Sequence, residues 1–296
     1  MRILLIGADG FLGRHVTDRL LADPEVSLTV LGRREGADIR FDLAEGQPGV
    51  LARFIDAVAP RAVINCAGAT RGGARDLTLG NTVAVATLCE AMRRSRHRAR
   101  LVHLGSAAEY GAVPPGVVID EATPPQPVGG YGFSKLAGTE LVTSSGLDAV
   151  VLRVFNPIGP GTPGGTVMGR LATALREAME NGTNVARVGD LSAFRDFVDV
   201  RDVARAVHAA TVSGAQGVIN IGSGVPTRVR EAARMLVRAA GFVGRVEEEG
   251  VGSERSADVL WQQADVRAAK ERLGWRYRIP LDESLADVWM EAACKV

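Results

Sequence analysis

The chain begins MRILLIGADGFLG, an apolar run over 3–6 that passes through Gly7, Gly10 and Gly13 into an amphipathic stretch over 11–22. Few local patterns restrict a fold as strongly, because each glycine meets a separate steric need. The first permits a tight turn, and the second lets backbone approach a pyrophosphate. The third lets the helix pack closely on a sheet while its N-terminus faces phosphate. With a strand before it and a helix after it, the segment predicts the phosphate cradle of a dinucleotide-binding βαβ unit.

Short apolar runs and helical stretches continue to alternate: 28–31, then 62–65 with 81–94, then 101–104, then a helix over 131–144, then 150–154. Crossover helices join parallel strands, so this order predicts an α/β fold, a doubly wound parallel Rossmann sheet that binds ligands beyond the carboxyl ends of its strands. The texture changes at PIGPGTPGG, near residue 157. Residues 1–156 are read as the dinucleotide-binding Rossmann domain and 157–296 mainly as a smaller C-terminal substrate lobe, with a segment near 195–215 returning to the first domain.

Composition narrows the partners. At 296 residues, 46% hydrophobic and 23% charged, the chain is ordinary for a globular protein with a sizeable core, and its net charge of +1 favours no polyanion. The basic run RRSRHRAR over 93–100 closes a predicted helix, where cations complement the dipole, so no nucleic-acid role is assigned to it. Cys66, Cys89 and Cys294 show no metal-binding spacing and imply a reducing compartment, and the four histidines suggest no metal site. The start resembles a strand rather than a signal peptide, and no stretch reaches membrane-spanning length. A cytoplasmic protein without metal or membrane partner is expected.

The end of the second strand selects the dinucleotide. A site for NAD usually carries Asp or Glu there for the ribose 2′-hydroxyl, whereas this chain reads LTVLGRR. Guanidinium groups at Arg33 and Arg34 suit a 2′-phosphate, so NADP(H) is predicted. Asp42, after IRF, is read as a cap or a contact to the adenine end, with an ordinary loop aspartate as the alternative.

Tyr131 and Lys135 stand four residues apart in a chain with only three tyrosines and three lysines. Such a pair arises by chance in about 3% of shuffled sequences, which favours a mechanism over coincidence. On a helix the two side chains share one face, one turn apart. A cation beside a phenol favours its ionised form, which makes the hydroxyl a usable general acid or base.

Together with HLGSAAEYG (103–111), LRVFNPIGPG (152–161), RDFVDVRDVARAV (195–207), INIGSG (219–224) and LGW (273–275), these motifs make nearly the whole chain resemble an extended short-chain dehydrogenase/reductase. That group holds nucleotide-sugar epimerases, dehydratases and reductases. The resemblance implies that Ser106 holds the substrate oxygen, that Tyr131 is the general acid/base, and that Lys135 binds the nicotinamide ribose and tunes the tyrosine. It implies a cofactor-binding set of Gly7, Gly10, Phe11, Leu12, Gly13, Arg33, Arg34, Asp42, Leu43, Cys66, Ala67, Gly68 and Asn81, together with Tyr131 and Lys135. Asn156, Arg195 and Arg255 match substrate-contacting positions, the arginines towards a diphosphate. Arg195 has an alternative as a structural partner of Asp196 or Asp199. Relatives commonly dimerise through helices corresponding to 81–96 and 131–144, so a homodimer is expected.

Departures from the subgroups narrow the reaction. The family's 4,6-dehydratases carry Asp and Glu directly after the Ser/Thr position, where this chain has Ala107 and Ala108, neither able to move a proton. The expected activity is NADPH-dependent reduction of a keto group on a nucleotide sugar, such as an NDP-4-keto-6-deoxyhexose. Three alternatives stay open: a nucleotide-sugar 4-epimerase with tightly bound NAD, an NADPH-dependent reductase of a polyketide or other secondary-metabolite ketone, and a non-catalytic NADP-sensing protein.

Overall fold

A computed structural model describes residues 1–249 and 259–294. In chain order the amino-terminal half contains β1 (Arg2–Ile6), α1 (Phe11–Leu21), β2 (Ser27–Gly32), β3 (Ile39–Arg40), α2 (Pro48–Val58), β4 (Ala62–Asn65), α3 (Ala74–Thr78), α4 (Ala84–Arg94), β5 (Arg100–Ser106), α5 (Gly130–Thr143) and β6 (Ala149–Val154). A π-helical turn, Leu79–Val83, joins α3 to α4, and a 3₁₀ turn, Ala107–Glu109, follows β5. The remainder contains β7 (Pro157–Ile158), α6 (Val167–Glu180), β8 (Val185–Val188), β9 (Phe194–Asp196), β10 (Val198–Asp199), α7 (Val200–Val212), β11 (Gly217–Ile221), β12 (Pro226–Arg228), α8 (Val229–Ala239), β13 (Arg245–Glu248), α9 (Arg267–Leu273) and α10 (Leu281–Ala293).

Seven parallel strands form one sheet in the order β11-β6-β5-β4-β1-β2-β3. Strands in such a sheet are covered on both faces, which is why β4 and β6 read as unbroken apolar or buried runs rather than alternating ones. On one face Val16 and Leu20 of α1 and Val203 and Val207 of α7 pack against Ile3, Leu5 and Val102. On the other, Leu51 and Ile55 of α2, Leu88 and Met92 of α4 and Val142 of α5 pack against Leu4, Val63 and Leu101. Each fully buried Leu or Ile contributes about 1.5–3 kcal/mol relative to exposure. A third core joins α6, α8 and α10 through Leu171, Leu175, Leu236 and Leu285. No helix among the described residues is long and apolar enough to cross a membrane.

The helical region before β5 differs from expectation. It starts at Ala74 rather than Asn81, and Asn81 lies in the π-helical turn. Its glycine-rich beginning, RGGARDLTLG, shows no apolar period to betray a helix, and Asn81 is drawn inward by partners remote in sequence.

Three aspartates of the 195–207 segment tie distant loops together. Asp196 is fully buried and accepts Ser223 N–H at 2.7 Å, Gly224 N–H at 2.9 Å, Ala264 N–H at 2.9 Å and the Ser223 hydroxyl at 2.8 Å. Burial pushes its carboxyl above the usual range, against the pull of these donors. Asp199 caps α7 through Arg201 N–H at 2.8 Å and takes the Ser284 hydroxyl at 2.7 Å. Asp202 accepts Arg278 N–H at 2.6 Å and Ile279 N–H at 3.0 Å, while its own carbonyl takes the Trp275 indole N–H at 2.9 Å.

Candidate active site

The chain leaves β1 toward β2 and β3 on one side and returns to β4 on the other, so a crevice opens at the carboxyl ends of β1 and β4. Gly7 turns there with φ +82°, and a Cβ on it would stand 2.6 Å from Ala67 N in the loop after β4. A Cβ on Gly13 would overlap the Gly7 carbonyl oxygen. Glycine at both positions lets turn, helix and neighbouring loop close on one another. The N-cap of α1 is Gly10, which brings no side-chain cap, and no acidic residue lies in the first turn. Its N-terminal N–H groups and positive dipole end suit phosphate. Phe11 opens the helix with its ring edge-on to His15 at 6.0 Å, and Leu12 packs onto the sheet.

At the end of β2, Arg33 and Arg34 are exposed. Arg33 lies 3.6 Å from Asp42, with 77% of its side chain accessible, so this ion pair is loose and the guanidinium can turn to another anion. Asp42 also accepts Ala44 N–H at 2.8 Å. Leu43 is buried beneath this edge.

β5, which ends in Ser106, and α5, which carries Tyr131 and Lys135, pack against each other. Ser106 ends β5 and Tyr131 lies in the first turn of α5. Close approach of these elements depends on Gly132, where a Cβ would come 2.5 Å from the Ala108 carbonyl oxygen and 2.9 Å from Pro127. Lys135 is 6% exposed and donates to the Leu104 carbonyl. A lysine ammonium has three donors, so this bond both aims it and leaves donors for other acceptors. The Ser106 Oγ accepts Ala108 N–H at 3.2 Å, leaving its hydroxyl hydrogen for an acceptor in the crevice.

Behind them lies a set of buried polar links. Asn81 donates to the Ala69 carbonyl at 2.8 Å and to Ser134 Oγ at 3.0 Å, and its own oxygen accepts Ala69 N–H at 2.9 Å. It therefore ties the loop after β4 to α5 rather than reaching outward. Asn65 accepts Ala67 N–H at 3.1 Å and bonds His103 Nδ1 at 3.1 Å. Burial, and then the charge of Lys135, hold His103 well below the usual imidazole range, so it stays neutral. The Cys66 thiol is pushed up to about 12 by burial, with Lys135 pulling the other way, so it is no nucleophile at neutral pH. Gly68 sits where a Cβ would stand 2.8 Å from Asn81 Oδ1 and 3.9 Å from Lys135 Nζ.

On the carboxyl-terminal side of the crevice, Asn156 spends both amide hydrogens internally, on the Asp196 carbonyl at 2.9 Å and on Gln262 at 3.0 Å. Arg195 is buried and donates to the Phe194 carbonyl at 2.9 Å. Burial brings its guanidinium down to about 10, with Asp190 opposing that shift. The carboxylates of Asp196 and Asp199 are held by the donors described above. Arg255 lies outside the described residues. The loop 159–165 reaches back over α1, where the Pro160 carbonyl meets His15 Nε2 at 2.8 Å.

Two members of the site escaped sequence reasoning. Glu109 and Arg153 form a buried ion pair at 2.6 Å directly behind Ser106. Their one sequence signal is a pair of opposite charges inside otherwise apolar stretches, SAAEYG and VVLRVF.

The family model described as the NAD dependent epimerase/dehydratase family matches residues 3–222. A dTDP-6-deoxy-L-talose 4-dehydrogenase (NAD(P)(+)) of Kitasatospora kifunensis is 35% identical over 97% of this chain and 94% of its own length. A UDP-glucose 4-epimerase of Mycolicibacterium smegmatis is 31% identical over 97% of this chain and 96% of its own. The structure of RMD from Pseudomonas aeruginosa complexed with NADPH superposes with a TM-score of 0.87 at 26% identity, covering 100% of this chain and 99% of that one.

Proposed function

Because the chain belongs to the NAD dependent epimerase/dehydratase family, we propose that it is an NADPH-dependent ketoreductase acting on a keto group of a nucleotide sugar, with an NDP-4-keto-6-deoxyhexose as the expected class. The observation that carries this reading is that α5, bearing Tyr131 and the buried Lys135, packs on the end of β5 at Ser106, while α1 opens on an uncapped glycine cradle. Arg33 and Arg34 at the end of β2 support the phosphorylated dinucleotide over NAD. Similarity to a 4-dehydrogenase of a dTDP-sugar supports the substrate class.

In this mechanism NADPH, when bound, supplies the hydride. Gly7, Gly10 and the first turn of α1 hold the pyrophosphate, and Lys135 holds the ribose next to the nicotinamide. Ser106 donates its hydroxyl hydrogen to the substrate carbonyl oxygen and holds it in place. Tyr131 then gives its phenolic proton to the alkoxide as charge develops there, and Lys135 offsets the negative charge left on the phenolate. Ala107 and Ala108 offer no acid or base to a neighbouring carbon, which keeps the outcome at one carbonyl reduced. Residues 1–156, with the segment near 195–215 returning to them, serve as the dinucleotide domain and 157–296 mainly as the substrate lobe, with Arg195 and Arg255 assigned to the diphosphate.

Purified protein should consume NADPH faster than NADH in the presence of an NDP-4-keto-6-deoxyhexose. Tyr131→Phe should lower kcat by about 10²–10⁴-fold while NADPH binding persists. An unchanged kcat in Tyr131→Phe would remove the tyrosine from the chemistry. The resemblance to a UDP-glucose 4-epimerase favours a second reading, in which the same residues work in both directions. Interconversion of UDP-sugar isomers without added cofactor would establish that reading and exclude net reduction.

A further inference from the structure

We propose that Glu109, locked by Arg153, is a positioning residue for Ser106, and that these two anchor a buried polar frame from which both Ser106 and the segment leading to Tyr131 are suspended. The proposal rests on the reading of Ser106 as the group that holds the substrate oxygen. Glu109 is 0% exposed and Arg153 is 3% exposed. A carboxylate this deep is costly unless every lone pair has a donor. One oxygen of Glu109 takes the Ser106 backbone N–H at 2.7 Å, and the other takes Arg153 Nε at 2.6 Å. Space for the first oxygen exists because residue 105 is glycine, where a Cβ would stand 2.7 Å from it. With its N–H held by Glu109 and its Oγ accepting Ala108 N–H, Ser106 has its backbone and its χ1 held, and its hydroxyl hydrogen is left for another acceptor.

Arg153 extends the frame. Its guanidinium lies 4.6 Å from the centroid of the Tyr110 ring, and the Tyr110 hydroxyl donates to Asn220 Oδ1 at 2.7 Å. Asn220 in turn donates its side-chain N–H to the Ile119 carbonyl at 3.0 Å and its backbone N–H to Glu121 at 2.8 Å. Those two residues belong to the segment that runs into α5 and delivers Tyr131. One connected polar chain, buried at Glu109, Arg153, Tyr110 and Asn220, therefore sets the serine directly and the tyrosine through its approach. Neither Glu109 nor Arg153 is assigned contact with substrate, so their effect passes through Ser106.

The test compares the double variants Glu109→Leu/Arg153→Met and Glu109→Gln/Arg153→Met with the unaltered protein. An apolar replacement of a buried pair is tolerated in stability far better than removal of one partner, so both are expected to fold. Hydrogen exchange at the Ser106 amide reads positioning whether or not a substrate is known. The Leu/Met variant should exchange there at least about 10-fold faster with the rest of β5 unchanged, and the Gln variant, which keeps an acceptor, should restore protection. With a keto-sugar substrate, the Leu/Met variant should lose about 10-fold or more in kcat with the KM for NADPH within about 2-fold, and Ser106→Ala should then cost less in that background than in the unaltered protein. Unchanged exchange at Ser106, or an equal cost of Ser106→Ala in both backgrounds, would overturn the proposal. A protein that turns over no keto-sugar at all would instead defeat the functional reading and leave the exchange measurement to decide the positioning role.

Discussion

Around the cradle, loops are set by side chains that are absent. Gly13 has no Cβ where the Gly7 carbonyl stands, and Gly7 itself closes to 2.6 Å, in Cβ terms, from Ala67 N. In the 195–207 segment, loops are set by side chains that are present and charged: Asp196 gathers Ser223, Gly224 and Ala264, and Asp202 gathers Arg278 and Ile279. Steric closure leaves room for nothing larger than hydrogen, and the neighbours that would have to move are backbone. Hydrogen-bonded closure is graded, because it weakens with each acceptor lost and depends on protonation. A loop that must approach a flat, charged ligand suits the first device. Segments brought together from far along the chain suit the second.

Breaking each device should show the difference. Gly13→Ala forces a methyl group into the Gly7 carbonyl and should cost about 4 kcal/mol or more, read as loss of folded protein or a steep fall in Tm. Asp196→Ala leaves three backbone N–H groups, that of Ala264 buried, without their acceptor and should cost about 3 kcal/mol in urea unfolding. A loss of under about 1 kcal/mol would mean that the loops hold without it. The smallest effect belongs to Asp56 of α2, which lies in the amino-terminal half but works by the second device. It accepts the Ser95 hydroxyl at 2.6 Å and the N–H groups of Arg96 and His97, and these bonds, Ser95 foremost, lower its pKa from the ordinary value. A carboxyl lowered in the folded state stabilises fully above its unfolded pKa, and that contribution disappears as pH falls through the folded value. Asp56→Asn should therefore lower Tm slightly at pH 7, with the gap closing at the acid end of the carboxylate range. A gap independent of pH would exclude the ionised carboxylate as its cause.

The amino-terminal half was the more legible of the two. Apolar runs at 3–6, 62–65, 101–104 and 150–154 fall within β1, β4, β5 and β6, because a strand covered on both faces must be apolar throughout. The start of the helical region lies earlier than the apolar pattern indicates because Ala74–Thr78 is mostly polar, with Leu77 its one buried residue. Arg195 has Asp196 and Asp199 as close sequence neighbours, and besides Arg201, two positions from Asp199, those carboxylates take groups 27 and 68 positions away from Asp196 and 85 from Asp199. Sequence adjacency carries no trace of such pairings. Asn81, assigned from resemblance to support the helix that lines the cofactor, joins Ala69 and Ser134.

The chain by itself determined what depends on near neighbours: the glycine turn, the alternation of strand and helix, and the tyrosine and lysine on one helical face. These follow from sterics and periodicity within a few residues. Only the tertiary structure decided which polar groups are buried together, as with Glu109 and Arg153 behind Ser106, Asn65 with His103, and Asp196 with Ala264. Those choices depend on desolvation. The cost of a buried charge or N–H is met by whichever partner the fold brings within about 3 Å, and that partner can lie anywhere along the chain.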